Sequence, residues 1–153
     1  MTHYNLALIG FGNVGRAFAR LLERKQDELK STYGITYTIT TIATGRHGAA
    51  IHPEGIPGTQ AAAHVEAGGS LADFSAVPAP ADMLELIRTC GADVLFENTP
   101  VNYESGQPAV DHLEAALRAG MHAITANKGP LVHAYRALTD LARQQQHRFL
   151  FEG

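Results

Sequence analysis

The sequence predicts an α/β fold: a doubly wound, mostly parallel sheet with helices on both faces. Three observations lead there. A short apolar run, Leu6-Ala7-Leu8-Ile9, passes directly into a glycine-rich turn and then a long amphipathic pattern, as a strand buried on both faces does when it feeds a helix. Helix-like and strand-like segments then alternate to the end of the chain with short links, the pattern of parallel βαβ units. The 153 residues, 45% hydrophobic and 18% charged, match one ordinary globular domain rather than a disordered or fibrous chain.

Each element has its own reason. From Asn13, the residues Val14, Phe18, Leu21, Leu22 and Leu29 recur at helical spacing, with Glu23, Arg24, Lys25, Asp27 and Glu28 on the other face, so a helix is expected to run until Gly34. Ile35 to Ala43 is rich in Thr, Tyr and Ile and reads as the second strand. Thr44 to Ser70 has little periodicity and is expected to be irregular, apart from a short helix over Gln60 to Glu66. Ala81 to Cys90 places Met83, Leu84, Leu86 and Ile87 on a helix, and Asp93 to Glu97 follows as a strand. Pro108 lies near a helix start, and Val110, Leu113 and Leu117 form its stripe up to Gly120. His122 to Thr125 is the next strand. Pro130 opens a last helix with Leu131, Tyr135, Leu138 and Ala142 on one face, and Arg148 to Phe151 begins a final strand. No repeat, linker or low-complexity tract divides residues 1–153, which read as a single domain.

A net charge of −3 with scattered Lys and Arg argues against a nucleic-acid or membrane-surface partner and for a small molecule. No apolar run approaches the roughly 18 residues that span a bilayer, and Met1 to Asn5 does not resemble a signal peptide, so a cytoplasmic protein is expected. Cys90 is the single cysteine, which excludes an internal disulfide; at a helix end leading into a strand it reads as a small filler. The histidines show no metal-ligand spacing.

Gly10-Phe11-Gly12-Asn13-Val14-Gly15 matches G-x-G-x-x-G between a buried strand and a helix, the context that makes it a dinucleotide-binding, Rossmann-type loop. Gly10 permits the turn, Gly12 the approach of a pyrophosphate, and Gly15 the packing of helix on strand. The N–H groups and positive dipole end of the helix then face the phosphates. No acidic residue occurs between Ser31 and Pro53, where an NAD-selective site carries one for the ribose 2′-hydroxyl. Arg46 stands there instead and suits a 2′-phosphate, so NADP is the expected cofactor with NAD as the second possibility; a solvated loop arginine is the other reading.

Ligands of such a sheet lie beyond the carboxyl ends of the strands. Besides the glycine loop, Asn98-Thr99-Pro100-Val101-Asn102 and Ala126-Asn127-Lys128-Gly129-Pro130 end strands there. Thr99 and Pro100 fit a loop beside the nicotinamide ribose, or an ordinary turn. Lys128 is placed to reach a substrate oxygen or assist proton transfer, or is a plain exposed lysine.

Together these loops resemble the nucleotide-binding domain of homoserine dehydrogenases. The resemblance spans Leu6 to Gly15 through Phe149-Leu150-Phe151-Glu152-Gly153, and its most specific pieces are Glu97-Asn98-Thr99-Pro100 and Gly120-Met121-His122-Ala123-Ile124-Thr125-Ala126-Asn127-Lys128-Gly129-Pro130. It implies an enzyme of threonine and methionine biosynthesis that interconverts aspartate semialdehyde and homoserine with NAD(P). It implies that Lys128 is the active-site lysine between cofactor and substrate, that Thr99 and Asn127 belong to the cofactor loops, and that Glu152 is one ligand of a monovalent cation whose other ligands lie downstream. It further implies that residues 1–153 end at a hinge before a substrate and dimerisation domain. That domain would supply an Asp and a second Lys and make the full-length protein a homo-oligomer, while residues 1–153 alone would bind cofactor without turnover. The rival readings are a related dehydrogenase of another amino acid or aldehyde, and a non-catalytic NADP-binding sensor.

Overall fold

The computed structural model describes residues 1–152. Its six strands are β1 (Thr2–Ile9), β2 (Ile35–Ala43), β3 (Ala49–Ile51), β4 (Val94–Glu97), β5 (His122–Thr125) and β6 (Phe149–Phe151), in the spatial order β3-β2-β1-β4-β5-β6. All neighbours pair in parallel except β2 with β3. The helices are α1 (Asn13–Tyr33), α2 (Gly58–Glu66), α3 (Met83–Thr89), α4 (Ala109–Arg118) and α5 (Gly129–Gln144), with a short 3₁₀ turn at Leu71–Phe74.

Alternation along the central strand splits the core into two. Leu6 and Leu8 of β1 point to one face, where Ala19 of α1 and Ala61, Ala62 and Val65 of α2 cover them. Ala7 and Ile9 point to the other, among Leu86 and Ile87 of α3, Leu113, Ala116 and Leu117 of α4, and Leu138 and Leu141 of α5. The sheet is therefore doubly wound with helices on both faces, and strands covered on both sides need continuous apolar runs, which is why β1 and β4 stood out in the sequence.

The structure departs from the sequence reading in four places. β1 begins at Thr2 because its exposed start pairs with β2, Thr2 opposite Ile35, so hydrogen bonds rather than burial define it. The stretch after Thr44 holds β3, an antiparallel return against Thr41–Ala43, and α2 starts two residues earlier than expected, at Gly58. α1 keeps Phe18 and Leu22 of its expected stripe against the core, but Val14 is 59% and Leu21 40% exposed, and the fully buried positions are Gly15 and Ala19, small residues that let the helix lie close on the sheet. In α5, Tyr135 is exposed and Leu141 takes the buried position; Ala134 has non-helical angles (φ −143°, ψ 18°), so the helix kinks and the pattern read through Leu131 and Tyr135 loses phase.

Cys90 is half-buried, its Sγ–H facing the Ile87 carbonyl and its thiol pushed up by burial, as befits an unreactive filler.

Candidate functional site

The chain leaves β1 and turns into α1 at the point where the sheet order reverses, β2 lying on one side of β1 and β4 on the other. Such a switch point opens a crevice beyond the carboxyl ends of the strands. Gly10, at φ +91°, makes the turn. Its N–H donates to the Ala43 carbonyl at 2.8 Å, and the Asn98 N–H donates to the Ile9 carbonyl at 2.7 Å, so the ends of β1, β2 and β4 are stitched together. A Cβ on Gly10 would stand 2.5 Å from the Asn98 carbonyl carbon and 2.7 Å from the Thr99 nitrogen, and one on Gly15 would stand 2.5 Å from the Gly10 oxygen. Both glycines are required by packing. Gly12 is different: it is exposed, and nothing lies within 4 Å of where its Cβ would be. That open ground lies at the start of α1, whose first turn carries no acidic residue and no side-chain cap. Free helical N–H groups beside an open glycine are what a pyrophosphate requires.

Phe11 is buried with only 2% of its surface exposed, so its side chain belongs to the core; its carbonyl accepts from Arg16 at 2.9 Å. Arg16 also donates to the Asn13 Oδ1 at 2.8 Å and pairs with Glu66 of α2 at 3.1 Å, bracing the loop from behind. Val14 faces outward, and Pro100 is exposed at the start of its loop.

At the end of β2 the turn Thr44–Gly48 is wound on one hydroxyl: Thr44 Oγ1 accepts from the N–H groups of Arg46 and His47 at 2.9 and 2.8 Å. Arg46 is exposed and forms no ion pair among the described residues. Thr44 and Gly48 stand beside a cleft of about 550 Å³ lined also by Ala43, Pro78, Ala81 and Met83, an apolar slot next to the glycine turn.

Lys128 caps the start of α5 and is exposed. With Val14, Asn98, Thr99, Tyr103 and Asn127 it lines a recess of about 210 Å³. The structure thus brings Val14 of the glycine loop, Thr99 and Lys128 around one hollow. Asn127 is buried, its Nδ2 donating to the Thr99 carbonyl at 3.1 Å and its Oδ1 accepting from the Gly129 N–H at 3.0 Å, so it ties the loops together.

Glu97, the last residue of β4, is completely buried. Its Oε2 accepts from the Thr99 N–H at 2.8 Å and from the Thr99 hydroxyl, and its Oε1 accepts from the Thr125 hydroxyl at 3.1 Å. Burial holds its carboxyl above the usual carboxylate range, against the opposing pull of donors from Thr99, Thr125 and Asn127. Sequence reading had Glu97 only as part of a motif. The signal was present in an acidic residue ending the run Val94-Leu95-Phe96 where a crevice was expected.

Glu152 is exposed just past β6, its N–H donating to the Thr125 carbonyl at 3.3 Å; Gly153 lies outside the described residues. Among the described residues no group of three or more His, Cys, Asp or Glu is placed to hold a metal ion, and one carboxylate by itself does not make a cation site. No helix among them is long and apolar enough to cross a membrane.

Fold and crevice define a dinucleotide-binding domain of the Rossmann type. The family described as homoserine dehydrogenase, NAD binding domain, matches residues 10–152, and the chain belongs to that family. It is 33% identical over its whole length to an NAD(+)-dependent homoserine dehydrogenase of Pseudomonas canavaninivorans and 32% identical over 97% of its length to a homoserine dehydrogenase of Methanocaldococcus jannaschii. It spans 44% of each of those proteins. Among solved structures it resembles a hyperthermophilic archaeal homoserine dehydrogenase mutant in complex with NADPH (TM-score 0.81, 25% identity, covering 99% of this chain and 44% of that one). A similar match is to a putative homoserine dehydrogenase of Archaeoglobus fulgidus (TM-score 0.75, 27% identity, covering 99% and 42%).

Proposed function

We propose that this chain is the cofactor-binding domain of a cytoplasmic homoserine dehydrogenase that interconverts aspartate semialdehyde and homoserine on the way to threonine and methionine, with NADP preferred over NAD. The observation that carries this reading is the meeting of Val14 of the glycine loop, whose Gly12 is left open at the start of α1, with the Thr99 and Lys128 loops around one recess, in a chain of this family.

The N–H groups at the start of α1 and the backbone of Gly10 to Gly15 would hold the pyrophosphate, with the adenosine half in the slot lined by Ala43, Pro78 and Met83. Arg46 would meet the 2′-phosphate. Thr99, Pro100 and the Asn127 loop would hold the nicotinamide half over the recess. The nicotinamide, when bound, supplies or accepts the hydride. Lys128 would reach from the start of α5 to the substrate oxygen and hold or move its proton. The substrate pocket, its Asp and second Lys, and the contacts that make a homo-oligomer belong in this reading to a further domain, as does whatever would complete a monovalent-cation site around Glu152.

Calorimetric titration with NADPH and NADH tests the cofactor assignment. A charge-assisted contact from Arg46 predicts NADPH tighter by about 10- to 100-fold, and Arg46→Ala should erase most of the difference. Equal affinities, or NADH preferred, would overturn it, the latter being the outcome that the NAD(+)-dependent Pseudomonas relative favours. Homoserine oxidation by the full-length protein tests the activity.

A further inference from the structure

We infer that Glu97 is the positioning residue of this site: it locks the Thr99 loop to the Asn127–Lys128 turn in the arrangement that receives the nicotinamide half of the cofactor. The inference rests on the dinucleotide-binding reading above.

The geometry is a closed ring. Glu97 accepts from the Thr99 N–H at 2.8 Å and from its hydroxyl. On the other carboxylate oxygen it accepts from the Thr125 hydroxyl at 3.1 Å, which itself accepts from the Asn127 N–H at 2.9 Å. Asn127 returns the circuit, donating through Nδ2 to the Thr99 carbonyl at 3.1 Å and accepting through Oδ1 from the Gly129 N–H at 3.0 Å. Two of these bonds, Thr125 to Glu97 and Asn127 to Thr99, cross between the end of β4 with its loop and the end of β5 with its turn, the others bracing each side, and the ring reaches the two residues flanking Lys128. No cation pairs with Glu97 among the described residues.

A fold that needed only cohesion here would do as well with apolar side chains, because an unpaired buried carboxylate costs desolvation that its hydrogen bonds must offset. What apolar packing would not supply is direction. When Glu97 is ionised and accepts its hydrogen bond, the Thr99 hydroxyl has only lone pairs left to offer, so it can accept but not donate. The partner it selects is a donor, which a ribose hydroxyl or a carboxamide N–H of the nicotinamide half provides and a phosphate does not.

The test uses the full-length protein and two ligands: the whole dinucleotide, and adenosine 2′,5′-bisphosphate or ADP, which carry only the adenosine half. In Glu97→Gln, the amide cannot accept from all three donors. Dinucleotide affinity should fall by about tenfold or more, while the adenosine-half ligand binds within about threefold of wild type. Amide exchange at Thr99 and Asn127 should quicken. Thr125→Val, which removes the second arm of the ring with little change of shape, should give the same split, and it decides the matter if the Gln variant does not fold. Parallel weakening of both ligands, as from general loosening, would overturn the inference, and so would unchanged binding of both. Wild-type protein that bound neither ligand would instead overturn the dinucleotide reading, and this inference with it.

Discussion

In the function proposed above, Lys128 and Gly12 separate chemistry from binding at the level of single residues. Lys128 is exposed and lines the recess, whose lining does not include Gly12, so Lys128→Ala in the full-length protein should leave NADPH affinity within about threefold. Losing a positioned proton-transfer group should lower kcat by about 10²- to 10⁴-fold. Steady-state rates at saturating cofactor check this, and a kcat within about threefold of wild type would leave Lys128 as a surface lysine. Gly12→Val should do the reverse. Its backbone lies at φ −79° with free space around it, so the fold should lose no more than about 1 kcal/mol at this helix cap, while calorimetry should find no cofactor binding. Cofactor binding by a folded Gly12→Val protein would show that the pyrophosphate does not approach there.

At the level of elements, the contact between β1 and α1 governs how the loop is held. A methyl group on Gly15 would meet the Gly10 carbonyl at 2.5 Å, and because that atom is backbone, helix and turn must move apart. Gly15→Ala should therefore destabilise the domain by about 1–3 kcal/mol in urea unfolding, despite alanine's better helix propensity, and should weaken dinucleotide binding as well. Stability equal to or above wild type would show that α1 does not depend on this close approach. The same contact explains why the apolar stripe read for α1 was too wide. Val14 and Leu21 keep helical spacing but face outward, whereas Gly15 and Ala19 are buried and Phe18 lays its ring 4.5 Å from that of Phe96 on β4.

For the whole molecule, pH enters through a buried histidine. His112 on α4 is 4% exposed, its Nδ1 has no partner among the described residues, and burial holds its pKa below the ordinary value. The folded state thus disfavours the charged ring, although Asp111 pulls the other way, whereas the unfolded chain protonates near pH 6.5. Stability from this group is present above about pH 6.5 and is lost as pH falls toward the depressed folded value, by at most about 1.4 kcal/mol per pH unit for one proton. His122, also depressed by burial, acts in the same direction. Glu97 acts in the opposite one, since its raised pKa makes the folded state the better proton acceptor as pH falls toward the ordinary carboxylate range. Urea unfolding at pH 8 and pH 6 should show His112→Leu with a flatter pH dependence than wild type; identical slopes would mean that His112 titrates alike in both states.

The parallel α/β architecture and the glycine loop were legible in the sequence because both are local. A strand covered on both faces must be apolar throughout, and a turn that lets a backbone approach a phosphate must be glycine, so Leu6 to Gly15 states its own role. The antiparallel β3 was not legible, since three residues, Ala49 to Ile51, carry no periodicity and exist as a strand only because Thr41 to Ala43 offer them a free edge. Nor was the part played by Glu97, Thr125 and Asn127. They are separated by up to 30 positions in the chain, and only the parallel pairing of β4 with β5, which sets Glu97 opposite Thr125, turns them into one hydrogen-bonded ring. Local sequence determines which residue can occupy a turn or a buried strand; which polar groups become partners is decided by strand register, a property of the assembled sheet.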